Sequence, residues 1–332
     1  MLLKIRRPWD VRASDTTPEA HAFDRRRFLE TAGTLGLGGA AGLMGCRKAS
    51  AHEPAIAPSP PPPEIARLYP AGRNAAFALD RPLTDEKTFT SYNNYYEFGD
   101  GKEDPARNAH RLTTRPWAIE ITGLVEKPFT IDRDELVRKI GLEERLYRLR
   151  CVEAWSMAIP WTGFPLRKLV ALAKPLSAAA FLRVVSFKRP KEALAQLKPW
   201  YPWPYFEAYR IEETTNDLAF VAVGAYGKEL AKQNGLPLRL VMPWKYGYKS
   251  AKGVVKIDFT DRQPATFWNA LQPLEYGFLS NVNPQVPHPR WSQASERFFG
   301  PRGMQFRATQ PYNGYADLVA GMYSEDSRRR PS

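Results

Sequence analysis

The chain has 332 residues, 43% of them hydrophobic and 25% charged, which is enough apolar material for a sizeable core and excludes intrinsic disorder. Lysine and arginine outnumber aspartate and glutamate by 48 to 35, a net charge of +13 that is scattered along the chain and accompanies no nucleic-acid-binding motif, so no nucleic-acid partner is expected. Two cysteines, Cys46 and Cys151, exclude a disulfide scaffold and a four-cysteine zinc site, and the four histidines lack metal-binding spacing.

Residues 24–30 read Asp-Arg-Arg-Arg-Phe-Leu-Glu, and an uncharged stretch of small and apolar residues runs on to Cys46. A basic segment followed by a short apolar one is an export leader, too short to anchor in a bilayer. Gly33, Gly36, Gly38, Gly39 and Gly42 argue against a buried helix there. The paired arginines before Phe28-Leu29 are similar to the bacterial twin-arginine signal. Such a signal implies that the twin-arginine export machinery delivers an already folded chain to the periplasm.

Ala49-Ser50-Ala51 fits the small-x-small cleavage pattern and makes residues 1–51 the signal peptide. Leu43-Met44-Gly45-Cys46 has lipobox character, and acylation of Cys46 is the alternative. Residues 52–70, rich in Pro and Ala with Pro60 to Pro63 consecutive, read as an extended linker. Residues 71–326 form the folded domain, and 327–332 a basic tail.

Within the domain, Trp117, Ile119 and Ile121 alternate with Ala118 and Glu120, which predicts a half-buried strand ending at Gly123. Asp132 with Glu135 predicts a capped helix to about Ile140. Residues 145–151 alternate again, with Leu146, Tyr147, Leu149 and Cys151 expected to pack. Leu166, Leu169, Val170 and Leu172 have helical spacing. Strands are predicted at 181–187, 219–223, 238–242 and 254–259, the third of them behind a tight turn at Asn234-Gly235. The sum is a mixed α+β domain rich in β structure. No dinucleotide-binding or P-loop motif is present.

Cleavage after Ala51 leaves Cys151 as the sole thiol in an oxidising compartment, either buried and inert or held by chemistry. Arg148 and Arg150 precede it, and flanking cations are expected to favour the thiolate, the form that binds a soft metal. A thiol protease would instead need His110 or His288 as base, which spacing alone does not decide.

Arg150-Cys151-Val152-Glu153-Ala154-Trp155-Ser156-Met157, followed by Pro160-Trp161-Thr162-Gly163-Phe164-Pro165, resembles the molybdenum-ligand segment of sulfite-oxidase-fold proteins. Within that fold the chain resembles the catalytic subunits of periplasmic protein-methionine-sulfoxide reductases. Agreement extends in order through residues 92–99, 233–240, 243–249 and 281–294, so that the resemblance covers about residues 90 to 316.

The resemblance implies an α+β, β-rich molybdopterin-binding fold over 71–326. It implies molybdenum held by one pterin dithiolene and by Cys151. It also implies pterin or phosphate contacts at Asn93, Tyr96, Glu97, Ser186, Asn234, Arg239, Ser250, Ala251 and Lys252. Read alone, these residues are equally turn, core or surface charge. Lys245, Lys249 and Lys252 together make a candidate anion cradle. Glu153 is expected to set local charge or deliver a proton, or else to pair with Arg148 or Arg150.

The implied activity is oxygen-atom transfer from methionine sulfoxide in exported proteins, with electrons from a membrane-embedded haem-b subunit. The alternatives are a related molybdenum oxidoreductase acting on sulfite or small S- and N-oxides, and a cofactor-free binding module of the same fold.

Overall fold

A computed structural model describes residues 60–323. The leader, its cleavage site, Cys46 and the basic tail lie outside the described residues. In chain order, β1 (Ala118–Gly123) and β2 (Phe129–Asp132) lead into a helix at Arg133–Ile140, and β3 (Glu143–Arg150) and β4 (Trp155–Pro165) form a long hairpin before the helix Leu166–Ala173. There follow β5 (Phe181–Ser186), β6 (Phe206–Arg210), β7 (Phe220–Ala225), β8 (Lys228–Glu229), β9 (Arg239–Val241) and β10 (Val254–Thr260). A long irregular stretch then leads to the hairpin of β11 (Ser295–Gly300) and β12 (Gly303–Ala308).

Two mixed sheets carry the fold. One has the order β2-β1-β10-β5-β6 and the other β12-β11-β4-β7-β8, with β3 added on β4 and β9 on β7. Only β1 with β10 and β4 with β11 run parallel, and no regular βαβ repeat appears among the described residues. β4 is buried along its whole length, as a strand flanked by β3, β7 and β11 must be. Trp117, Trp161, Trp244, Phe164 and Phe220 are among the largest fully buried side chains.

Local signals placed most elements well. Ile119 and Ile121 are fully buried on β1 while Ala118 and Glu120 face out. Asp132 caps its helix by accepting from the Asp134 and Glu135 amides. Leu166, Leu169 and Val170 bury one stripe of their helix.

Three expectations need correction. Residues 63–70 are not an extended linker. Pro63–Ala66 is a helical turn with Ile65 fully buried, and Tyr69 donates to the Val223 carbonyl at 3.1 Å. The proline run permits this, because a proline at the first helical position lacks only an N–H that would go unused there.

Asn234-Gly235 is not a hairpin turn, since β8 and β9 both pair with β7 rather than with each other. The hairpin turn, between β7 and β8, lies at Tyr226-Gly227, where φ is 54° and 73°, whereas the tight turn expected before β9 is present at Asn234-Gly235. Gly235 instead ends a short 3-10 turn at φ 110°, where a Cβ would come within 3.1 Å of the Arg239 and Lys252 side chains.

On β3, finally, the arginines are buried and Leu146 and Leu149 only half-buried. Arg145 lies 3.8 Å over the Phe77 ring, Arg148 pairs with Asp80, and Arg150 is fully enclosed against Glu296, Gln293 and Thr309.

Candidate functional site

The four residues linking β3 to β4, 151–154, place Cys151 at the hairpin's end. The Cys151 amide donates to the Trp155 carbonyl at 2.9 Å and the Ala154 amide to the Cys151 carbonyl at 3.0 Å. Ala154 takes a left-handed φ of 61°, a conformation that costs a non-glycine residue about 1–2 kcal/mol and that clusters at functional sites. The turn aims the Glu153 amide at Cys151 Sγ, 3.4 Å away, and Asn94 Nδ2 approaches the same sulfur at 3.4 Å.

Cys151 opens into a cavity of about 880 Å³, counted with its mouth, at the seam between the two sheets. There β9 hands over to β10, with Leu240 N donating to Ala251 O and Arg239 bridged to Lys252. Of the residues singled out in the sequence, Asn93, Tyr96, Glu97, Cys151, Glu153, Asn234, Arg239, Ser250, Ala251 and Lys252 all line this cavity. Four segments far apart in the chain bring them together.

Ser186 does not line it. Its hydroxyl donates to the Lys252 carbonyl at 2.6 Å from behind the wall. Lys245 and Lys249 also leave the expected cradle, because their ammonium groups turn inward to Glu213 and Glu207, each at 2.5 Å. The cradle's cations are Arg239 and Lys252.

Burial dominates the electrostatics. It pushes the Cys151 thiol up to about 12, with the Glu153 charge adding to the rise, while Lys102, the Glu153 amide and Arg150 only partly offset it. The expectation that flanking arginines make this a low-pKa thiol is therefore overturned, since burial outweighs Arg150, which is committed to Glu296, and Arg148 points away to Asp80. Holding a metal would expel the thiol proton.

Burial also raises Glu153, but the Lys102 ammonium outweighs it, assisted by hydrogen bonds from Lys102, Asn94 and Trp155, and keeps the carboxylate ionised. Its ion-pair partner is Lys102 at 2.5 Å, not Arg148 or Arg150. Opposite, burial pushes Glu97 up and Lys252 down, each to about 7, and lowers Arg239 to about 10. Neither Arg239 nor Lys252 has a carboxylate in ion-pair contact among the described residues.

Four buried polar atoms on the wall also lack a hydrogen bond among the described residues: Asn93 Oδ1 and Nδ2, Tyr95 Oη and Asn234 Oδ1. Cations without carboxylate partners and orphaned polar atoms around one cavity fit a bound polar, anionic group. One soft sulfur with no cluster of three His, Cys, Asp or Glu residues among the described residues means that a metal there needs ligands from outside the protein. The donor set thus suits a pterin that carries a phosphate and brings its own sulfurs.

Neither histidine supplies a base to Cys151. His110 Nδ1 lies 2.8 Å from Arg107 O, and His288 is stacked on Trp291 at 3.9 Å. Sequence reasoning missed Asn94 and Lys102, as well as the aromatic mouth, where Tyr96 and Trp268 meet edge-to-face at 4.9 Å beside Tyr276. The adjacent Asn93 was the only hint of Asn94.

A family model described as "Oxidoreductase molybdopterin binding domain" matches residues 106–268. The protein-methionine-sulfoxide reductase catalytic subunit MsrP of Burkholderia mallei is 46% identical over 95% of this chain and 93% of its own length. MsrP of Xanthomonas axonopodis pv. citri is 44% identical over 97% and 98%. Among solved structures, the sulfane dehydrogenase SoxCD of Paracoccus pantotrophus is 21% identical over 46% of this chain and 40% of its own, with a TM-score of 0.39. With identity at this level over nearly the full length, the chain belongs to the protein-methionine-sulfoxide reductase catalytic subunit family and is an oxidoreductase with the α+β, β-rich molybdopterin-binding fold.

Proposed function

We propose that this chain reduces methionine sulfoxide residues in periplasmic proteins, using molybdenum bound to one pterin dithiolene and to Cys151. The observation that carries the reading is a buried cysteine sulfur in the wall of a cavity that is also lined by two cations, the buried Arg239 and the half-buried Lys252, without carboxylate partners. When bound, the molybdenum–pterin group supplies oxygen-atom transfer from sulfur coupled to two electrons.

The chain's own residues bind and orient. Arg239 and Lys252 supply positive charge for the phosphate, and Asn93, Asn234 and Ser250 offer polar atoms to the pterin edge. Cys151 Sγ accepts N–H donors from Glu153 and Asn94, which favour the thiolate. Tyr96, Trp268 and Tyr276 form an apolar mouth suited to a thioether methyl group. Burial pushes the Tyr276 hydroxyl up to about 12, so it keeps its proton across the physiological range.

The arginine-led leader supports twin-arginine export to the periplasm, and the relatives' designation as catalytic subunits supports a separate electron donor, for which we propose a membrane-embedded haem-b subunit. The test is the metal content and turnover of Cys151→Ser beside wild type, with an artificial donor and with oxidised protein or sulfite as substrate. Wild type is expected to carry stoichiometric molybdenum and to prefer oxidised protein, and the variant to lose both metal and turnover. A variant with full molybdenum and turnover overturns the ligand assignment, and preference for sulfite overturns the substrate.

A further inference from the structure

Lys102 stands 51 residues from Glu153 and belongs to no motif, yet its ammonium is the hub of the contacts beside Cys151. It donates to Asn94 Oδ1 at 2.7 Å and pairs with Glu153 Oε2 at 2.5 Å. Asn94 Nδ2 in turn reaches Glu153 Oε2 at 3.0 Å and Cys151 Sγ at 3.4 Å. An ammonium only donates, so the amide atom facing it must be the oxygen, and the NH2 end is thereby directed at the sulfur and the carboxylate, both acceptors. The carboxylate and the sulfur select the same orientation from the NH2 end, and the ammonium is the one contact in this set that holds the oxygen end, so without it Asn94 Oδ1 loses its donor and the amide is held from one side only.

The loop is built to deliver the lysine. Residues 93–102 leave and re-enter the wall at one point, where Asn93 N donates to Lys102 O at 3.0 Å. Gly99 turns at φ 142°, where a Cβ would lie 2.4 Å from that of Asp104, and the Gly101 amide donates to Asp104 Oδ2 at 2.8 Å. The Lys102 and Glu153 side chains are 24% and 30% exposed, and pairs with that much solvent access stabilise a fold by only about 0–1 kcal/mol, so stability is a weak reason for the arrangement.

We propose that Lys102 is a positioning residue of the reaction centre, fixing the Asn94 amide with its N–H groups toward Cys151 Sγ and holding the Glu153 carboxylate in place beside it. The inference rests on the reading that Cys151 carries molybdenum.

The test compares Lys102→Met, Lys102→Arg, Asn94→Ala and the double variant Lys102→Met/Asn94→Ala. Each is made as the full chain with its leader and assayed for molybdenum per chain, for the electron paramagnetic resonance spectrum of the half-reduced metal, and for kcat and KM with methionine sulfoxide and an artificial donor. Lys102→Met is expected to keep its metal within about two-fold, to shift the resonance positions, and to lose about ten-fold or more in kcat with KM within about three-fold. Lys102→Arg, still a donor-only cation, should restore the wild-type spectrum and at least about half of kcat. The double variant should be no slower than Asn94→Ala, within about two-fold, because the lysine acts through the amide.

Three results overturn the proposal: a Lys102→Met spectrum and kcat equal to wild type, losses in the double variant that multiply, or a Lys102→Met protein that has lost its metal. Wild-type protein without molybdenum sinks the underlying reading and the proposal with it, and metal content alone tells that case apart.

Discussion

Two sets of cations, buried except for the half-buried Lys252, sit within a short stretch of this chain and have opposite environments. Lys245 Nζ is closed by Glu213 Oε1 at 2.5 Å, Leu279 O at 2.8 Å and Asn281 Oδ1 at 2.9 Å, one acceptor for each of its N–H groups. Lys249 Nζ is held by Glu207 at 2.5 Å and Ala208 O at 2.9 Å. Arg239, which is buried, and Lys252, which is half-buried, meet no carboxylate: Arg239 donates to Asn234 O at 2.9 Å and lies 4.8 Å over Trp161, and Lys252 lies 5.3 Å over Tyr95. A buried charge with its counter-ion inside the chain holds the fold together. One without it is tolerable chiefly when a ligand completes it, since an uncompensated buried charge costs several kcal/mol.

The sharpest way to break that contrast is to remove one ammonium from each set. Lys249→Met leaves Glu207, itself fully buried and with its pKa raised by burial, without its cation, and should destabilise the protein by about 3–5 kcal/mol in a urea titration. Lys252→Met in cofactor-free protein should leave stability within about 1 kcal/mol of wild type or raise it, because a desolvated and unpaired charge has been deleted. The same variant should retain cofactor about 10–100-fold less well, by analogy with residues that support a bound metal group. If Lys252→Met destabilises as Lys249→Met does, the two sets are alike and the anion site is lost.

The contrast was not legible in the sequence. Lys245, Lys249 and Lys252 follow one another in a glycine-containing loop, and nothing local says which face each ammonium takes. Glu213 and Glu207, which decide the matter, arrive from the region of β6 and the turn after it. The same holds for Lys102, a lone lysine in a polar loop whose carboxylate partner lies on another segment. Buried arginines on β3 escaped because alternation assigns arginine to solvent unless its distant acceptors are known. What could be read was what is decided locally: the Ile119/Ile121 strand, the Asp132 cap, the Leu166–Ala173 stripe. Cys151 was legible too, because a motif of adjacent residues marks it. Its neighbours from other segments were found only through resemblance to a family, and the Pro-rich stretch misled because composition alone does not show that Ile65 has a core to enter.

Titration sharpens the comparison with a smaller effect. In cofactor-free protein Glu97 has its pKa raised from 4.5 to about 7, so the folded state binds more protons than the unfolded one across that window and stability falls as pH rises through it. Lys252 is depressed from 10.5 to about 7, so the unfolded state binds more protons between those values and stability rises with pH there. Together the pair contributes a stability minimum near neutral pH, on the order of a few kcal/mol deep. Glu97→Gln should flatten the acid side of this minimum in denaturation curves compared with wild type at a series of pH values. A wild-type profile that the substitution leaves unchanged would mean that Glu97 titrates as an ordinary carboxylate and that the site is less desolvated than its geometry implies.

The smallest effect separates the wall of the site from its backing. The Ser186 hydroxyl donates to the Lys252 carbonyl at 2.6 Å without reaching the cavity, so Ser186→Ala should lose one buried hydrogen bond, about 1 kcal/mol of stability. Cofactor content should stay within about two-fold, because the Ala251 and Lys252 backbone is also tied by the Leu240 amide and the Arg239 bridge. Ser186→Thr keeps the hydroxyl and should match wild type in both measurements if its added methyl group is accommodated beside Val254. A Ser186→Ala protein that lost cofactor as heavily as Lys252→Met would show that the hydroxyl contacts the bound group directly, and that the cavity extends behind Lys252 when it is filled.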